Sequence, residues 1–93
     1  MIKSFRCKDT EKLFKRQFSS KFPSEIRRNA LRKLLILDAV EHLKDLRVPP
    51  GNRIEKLAGD RQGQHSIQIN DQWRICFRWH QRDAYDVEIT DYH

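Results

Sequence analysis

The chain has 93 residues, enough for one domain spanning 1–93 and a modest core. Charged residues make up 34% and hydrophobic ones 38%, a globular balance that excludes a disordered segment. Lys and Arg number 19 against 13 Asp and Glu, and the net charge of +6 puts a polyanion first among candidate partners, the plainer alternative being a basic surface that serves solubility.

In chain order, residues 2–5 read as a short strand. Asp9 or Thr10 caps a helix with Leu13, Phe14 and Phe18 on one face, and Ser19 and Ser20 interrupt it. Pro23 and Ser24 open a longer helix. Ile26, Ala30, Leu34 and Leu37 form its apolar stripe, broadened by Leu31 and Leu35 and continued past a bend by Ala39, Val40, Leu43 and Leu46. Arg27, Arg28, Arg32 and Lys33 occupy the opposite face, and the Pro-Pro-Gly-Asn run at 49–52 stops the pattern.

From residue 53 the period changes to two. Strands are expected over 53–57, 64–69, 73–80 and the segment carrying Tyr85, Val87 and Ile89, with turns at 59–63, 70–72 and 81–83. A three-residue loop at 81–83 pairs Trp79 with Tyr85, Phe77 with Val87 and Ile75 with Ile89, whereas a two-residue loop sets Phe77 opposite Asp86. The same logic at 70–72 pairs Ile69 with Trp73 and Ile67 with Ile75. One sheet face is therefore apolar and lies under the helices. The other is expected to be open and polar, with Gln68, Arg74 and Thr90 in one row and Tyr92 following on that face by parity. The fold class is α+β: N-terminal helices on one face of a mainly antiparallel sheet of four or five strands.

Two cysteines, Cys7 and Cys76, are too few for a disulfide scaffold and sit at no zinc-binding spacing. The opening residues lack a signal-peptide apolar run, and the longest apolar run, residues 34–37, is too short for a bilayer. These features predict a reduced, cytoplasmic protein with no membrane role.

Asp91, Tyr92 and His93 offer a carboxylate, a phenol and an imidazole, the last titrating near neutrality; the alternative is a frayed end. Arg74 is a planar fork suited to phosphate oxygens, or else a structural partner of Glu88 one diagonal away. Arg78, opposite Asp86 in this register, reads as a cross-strand ion pair outside the site. Lys56 and Arg61 are either phosphate holders or solvated charge. His65 has the parity of Ile67 and reads as half-buried packing. His42 lies on a helix and His80 at a strand end. No acid cluster completes a metal site with histidine, and no nucleophile motif or phosphate-cradling glycine loop is present.

The runs Pro49-Pro50-Gly51-Asn52-Arg53, Gly59-Asp60-Arg61, Gly63-Gln64-His65-Ser66-Ile67, Asn70-Asp71-Gln72-Trp73-Arg74-Ile75-Cys76-Phe77 and the terminal Asp91-Tyr92-His93 strongly resemble the HigB toxins. These form the plasmid maintenance killer branch of the RelE superfamily, and the opening Met1-Ile2-Lys3-Ser4-Phe5 resembles that branch too. The resemblance implies a RelE-type fold and an endoribonuclease that uses neither cofactor nor metal. It implies cleavage of mRNA in the A site of the 70S ribosome by 2′-hydroxyl attack, inhibiting translation. It also implies a HigA-like helix-turn-helix antitoxin, through which the complex reaches operator DNA. His93 would then transfer protons and Asp91 act as base or position it. Arg74 would stabilise the phosphate, and Tyr92 stack on a base or orient the others. Lys56 and Arg61 would hold flanking phosphates, and Gln68, beside Arg74 in the row, would contact the RNA as well. Some relatives carry a lysine directly before the Gly of the Gly-Asp-Arg turn, where this chain has Ala58; Lys56 or Arg61 is the candidate replacement. The alternative class is a non-catalytic basic module that binds RNA, the ribosome or DNA and acts with an antitoxin as co-repressor.

Overall fold

A computed structural model of the chain describes residues 1–91. Two helices, α1 (Lys8–Phe14) and α2 (Ser24–Ala39), precede four antiparallel strands: β1 (Glu55–Lys56), β2 (His65–Gln68), β3 (Trp73–His80) and β4 (Asp83–Asp91), ordered β1-β2-β3-β4. The α+β arrangement expected from the change of period is present. The first residues run parallel to the outer edge of β4, bridging Ile2 to Ala84 and Phe5 to Val87. Thr10, fully buried, accepts the next edge N–H, that of Ile89, at 3.0 Å. Thr10 therefore ties α1 to the sheet, and the N-cap position falls to Cys7. The β4 edge is thereby paired instead of exposed.

The core is one cluster in which Phe22, Ile26, Ala30, Leu34 and Leu37 meet Ile67, Ile75, Phe77, Val87 and Ile89. Ile26, Ala30, Leu34 and Leu37 of the stripe read on α2 are buried, whereas Leu35, expected to broaden it, is 40% exposed and Leu31 is only half-buried. Phe18 departs from expectation: it is 81% exposed. Arg16, at φ 58°, turns the chain out of α1, so the face of Leu13 and Phe14 does not extend to residue 18 and Phe22 fills the core position. Lys33, expected on the solvated face, is 4% exposed and donates to Asn52 Oδ1. The helix stops at Ala39, earlier than the proline run. Val40 is extended, and a separate 3-10 turn at Leu43–Arg47, braced by Asp45 Oδ2 accepting from the His42 N–H, rotates Leu46 into the core.

The β2–β3 register is as expected, with Ile67 opposite Ile75 and Gln68 opposite Arg74. The β3–β4 hairpin corrects the three-residue loop. Gln81 and Arg82 both have positive φ (45° and 73°), the signature of a type I′ two-residue turn, whose twist matches paired strands. His80 consequently pairs with Asp83 and Trp79 with Ala84. A bulge then inserts one extra residue in β4 at Asp86, φ 53°, so that Ile75 still meets Ile89. The bulge keeps Asp86 out of the core, the outcome that had argued against a two-residue turn. Ala84 takes the core position, and Tyr85 pairs with Arg78 on the polar side. The Arg78–Asp86 ion pair is present at 3.6 Å, held across the bulge. The strand expected over 53–57 shrinks to two residues.

Candidate active face and cationic groove

Alternation in β2, β3 and β4 sends Ser66 and Gln68, Arg74 and Cys76, and Glu88 and Thr90 away from the helices. Two rows result: Ser66–Cys76–Glu88, and the expected Gln68–Arg74–Thr90. This face is less open than its sequence implied. Arg74 is 7% exposed, and Ser66 and Cys76 are fully buried.

The cover comes from the segment between α2 and β2. Asn52, fully buried, donates to the carbonyls of Leu46 (3.1 Å) and Val48 (3.3 Å) and accepts from the Lys33 ammonium. Those bonds pin the loop. The next residue, Arg53, is left-handed (φ 43°, ψ 58°), and its carbonyl accepts from Arg74 Nη2 at 2.6 Å. Arg74 Nε donates to Ser66 Oγ at 2.8 Å, and Glu55 Oε1 lies 3.9 Å from Nη1. A buried guanidinium is thus fixed in plane and direction by a hydroxyl, a carbonyl and a nearby carboxylate.

Glu88, the partner considered for Arg74, is engaged by Arg61 at 2.8 Å, and Arg61 also donates to Gln64 at 3.1 Å. Arg61 sits over the sheet because the 3-10 turn Gly59–Arg61 folds onto it. Burial pushes the Cys76 thiol up, and the Glu88 carboxylate adds to this. The Thr90 hydroxyl and the Arg61 and Arg74 guanidiniums pull the other way without reversing it. Cys76 is therefore a protonated packing residue. Each arginine on this face has a carboxylate beside it.

The remaining site candidates lie elsewhere. Asp91 pairs with Trp73, which puts it on the helix-bearing side with Ile89, and its Oδ2 accepts from Gln72 Nε2 at 3.1 Å. Lys56 pairs with His65, which in turn pairs with Phe77, so it too points to the helix-bearing side, opposite to its neighbour Glu55. Gln68 and Arg61 share Arg74's face, whereas Lys56 and Asp91 do not. Ala58 is exposed, just before the Gly59–Arg61 turn. Tyr92 and His93 lie outside the described residues.

Sequence reasoning missed Ser66, Glu55 and the Arg53 carbonyl. Ser66 was within reach of it, since the register Ile67–Ile75 already sets Ser66 one diagonal from Arg74. Nothing local marks Arg53 as left-handed. Among the described residues no group of three or more His, Cys, Asp or Glu is placed to hold a metal ion, and no helix is long and apolar enough to cross a membrane.

Two helices on one side of a four-stranded antiparallel sheet, with a buried arginine on the far face, define the α+β class of this chain. The fold resembles YafQ of E. coli (TM-score 0.57, 12% identity, 98% of this chain and 93% of that one) and the YoeB–YefM complex of Staphylococcus aureus (0.50, 14%, 100% and 98%). At such identities the likeness is one of fold. In sequence, Toxin HigB-1 of Vibrio cholerae is 51% identical over 57 residues, 61% of this chain and 60% of that protein. Endoribonuclease HigB of Proteus vulgaris is 33% identical over an alignment that spans both chains completely. The family model described as a RelE-like toxin of the type II toxin–antitoxin system HigB matches residues 3–93, and the chain belongs to that family.

Proposed function

We propose that this toxin is an endoribonuclease that cuts mRNA in the A site of the ribosome, in the cytoplasm, and so stops translation. The full-length relative named an endoribonuclease supports the activity. The observation that carries the reading is Arg74, an arginine oriented by Ser66 and the Arg53 carbonyl at the centre of the polar row. RNA supplies its own nucleophile, the 2′-hydroxyl, so the protein must provide a base, an acid for the leaving 5′-oxygen, and cations for the charge growing on phosphate. Arg74 meets the last need with its donors already aimed, which costs little reorganisation during reaction. Gln68 and Arg61 flank it on the same face. His93 follows Thr90 by three residues in the sequence and transfers protons. Asp91 acts as base or as the group that positions His93, and Tyr92 stacks on a base or orients the others. Lys56 contacts RNA from the other side of the sheet edge.

The toxin's partner in this reading is a HigA-like antitoxin with a helix-turn-helix, and the complex binds operator DNA through it. The test is mapping of mRNA 5′ ends after brief induction, beside His93→Ala and Arg74→Lys variants. New in-frame ends that vanish in both variants are expected. Growth arrest without new ends would refute cleavage. It would favour a binding or blocking module, a reading to which the burial of Arg74 and the alanine at position 58 lend support.

A further inference from the structure

The active face carries little surplus positive charge. Arg61 is matched by Glu88 at 2.8 Å and Arg74 lies 3.9 Å from Glu55, although the chain as a whole is +6. An RNA-binding protein has to place its unmatched cations where phosphates pass. One place on the helix-bearing side of the sheet edge meets that need. Between the 3-10 turn Leu43–Arg47 and β1 lies a groove of about 340 Å³, lined by Lys44, Arg47 and Lys56, with Leu43, Ile54 and His65 as its less polar surface. None of the three cations has an ion-pair partner among the described residues, and Glu55 is the only acid in the lining. The His65 Nδ1 is buried with no hydrogen-bond partner among the described residues, while the ring stacks on Phe77 at 6.0 Å. The groove thus presents three unmatched cations beside apolar surface.

We infer that this groove is a second RNA site, which binds phosphodiester groups remote from the bond being cut. It deepens the nuclease reading and rests on it only for the choice of RNA as the polyanion. Lys56 pairs with His65 on the helix-bearing side, whereas Arg74 faces the other side, so RNA in the groove and RNA at Arg74 approach the sheet from opposite sides. The phosphates come from messenger RNA or from ribosomal RNA, whose backbone chemistry is the same.

The experiment uses single-stranded RNA with 2′-O-methyl groups, which cannot be cut by 2′-hydroxyl attack, titrated by fluorescence anisotropy at several salt concentrations. In parallel, binding to 70S ribosomes carrying the same RNA is measured. The triple variant Lys44→Ala, Arg47→Ala, Lys56→Ala is compared with a charge-matched control, Lys3→Ala, Lys12→Ala, Arg28→Ala, whose three residues are also exposed. Single strands lose about 0.7 in the slope of log affinity against log salt per phosphate contact, so the groove triple should lower the slope by about 2 and the control should not. A drop on free RNA assigns the groove to messenger; a drop on ribosomes alone assigns it to ribosomal RNA. An unchanged slope in both arms, or an equal drop in the control, overturns the inference. Cleavage by Arg74→Lys is a separate measurement, so the nuclease reading can fail without deciding the groove, and the groove without deciding the nuclease.

Discussion

Replacing Arg74 tests whether its ties to Ser66 and Arg53 serve catalysis or only the fold. Arg74→Ala removes two hydrogen bonds from a charged donor, at 2.8 and 2.6 Å, to acceptors on a buried surface. Hydrogen bonds to charged groups contribute roughly 1.5–3 kcal/mol each, so alanine should cost about 3–6 kcal/mol of stability. Domains of this kind hold only about 5–15 kcal/mol in total, which leaves alanine near the threshold of folding. Arg74→Lys is the better probe. It keeps the charge and reaches one of the two acceptors, so roughly half the stability loss is expected. Its single ammonium cannot both stay tied and meet the phosphate with a planar fork. Loss of one aimed donor to a developing oxyanion costs about 2.7–4 kcal/mol, or about 10²–10³ in rate. The assays are urea denaturation and single-turnover cleavage of ribosome-bound mRNA at a temperature where the variant is folded. A folded Arg74→Lys protein cutting within about threefold of the parent rate, under 1 kcal/mol of barrier, would show that Arg74 is a strut and nothing more.

Asn52→Ala should destabilise the protein by about 3 kcal/mol, because Lys33 and the Leu46 and Val48 carbonyls all lose a partner; a urea midpoint that stays put would mean the loop is pinned by something else. Gln81→Asn with Arg82→Gly should raise the melting temperature, gaining about 1–2 kcal/mol by relieving two positive φ angles in the β3–β4 turn; an unchanged or lower value would contradict the type I′ geometry. Burial, and then the nearby Lys56 charge, hold His65 below its ordinary value of 6.5. The unfolded chain therefore binds the proton first as pH falls. Stability is complete above pH 6.5 and declines as pH drops through that value toward the lower folded one. Lys56→Met should move the His65 NMR titration upward, and an unmoved curve would exclude the proximity of the two groups.

Much of this molecule was legible in its residues. The period-four stripe on α2, the switch to period two after residue 53 and the register of β2 on β3 follow from burying apolar side chains, which acts locally and repeats. The resemblance carried by the blocks from Pro49 onward led to the right family. The row Gln68–Arg74–Thr90 needed only parity and loop length.

What the sequence by itself could not determine depends on backbone geometry and on contacts distant along the chain. The β3–β4 turn is hidden in the sequence because residues 81 and 82 are neither Asn nor Gly, although both adopt positive φ, and because a bulge at Asp86 cancels the resulting shift. Phe18 lies beyond the end of the helix that its spacing predicts. Lys33 looked like a surface cation until Asn52, 19 residues away, met it in the interior. The same applies to the site: the pairing of the two-residue strand β1 sets Lys56 on the helix-bearing side, while the carboxylate of its neighbour Glu55 lies 3.9 Å from Arg74. The sequence named the charged residues and the chemistry they suit. Only the tertiary structure decided which of them share a surface, because a strand sends neighbouring side chains to opposite sides and a left-handed residue such as Arg53 turns a carbonyl onto an arginine 21 positions away.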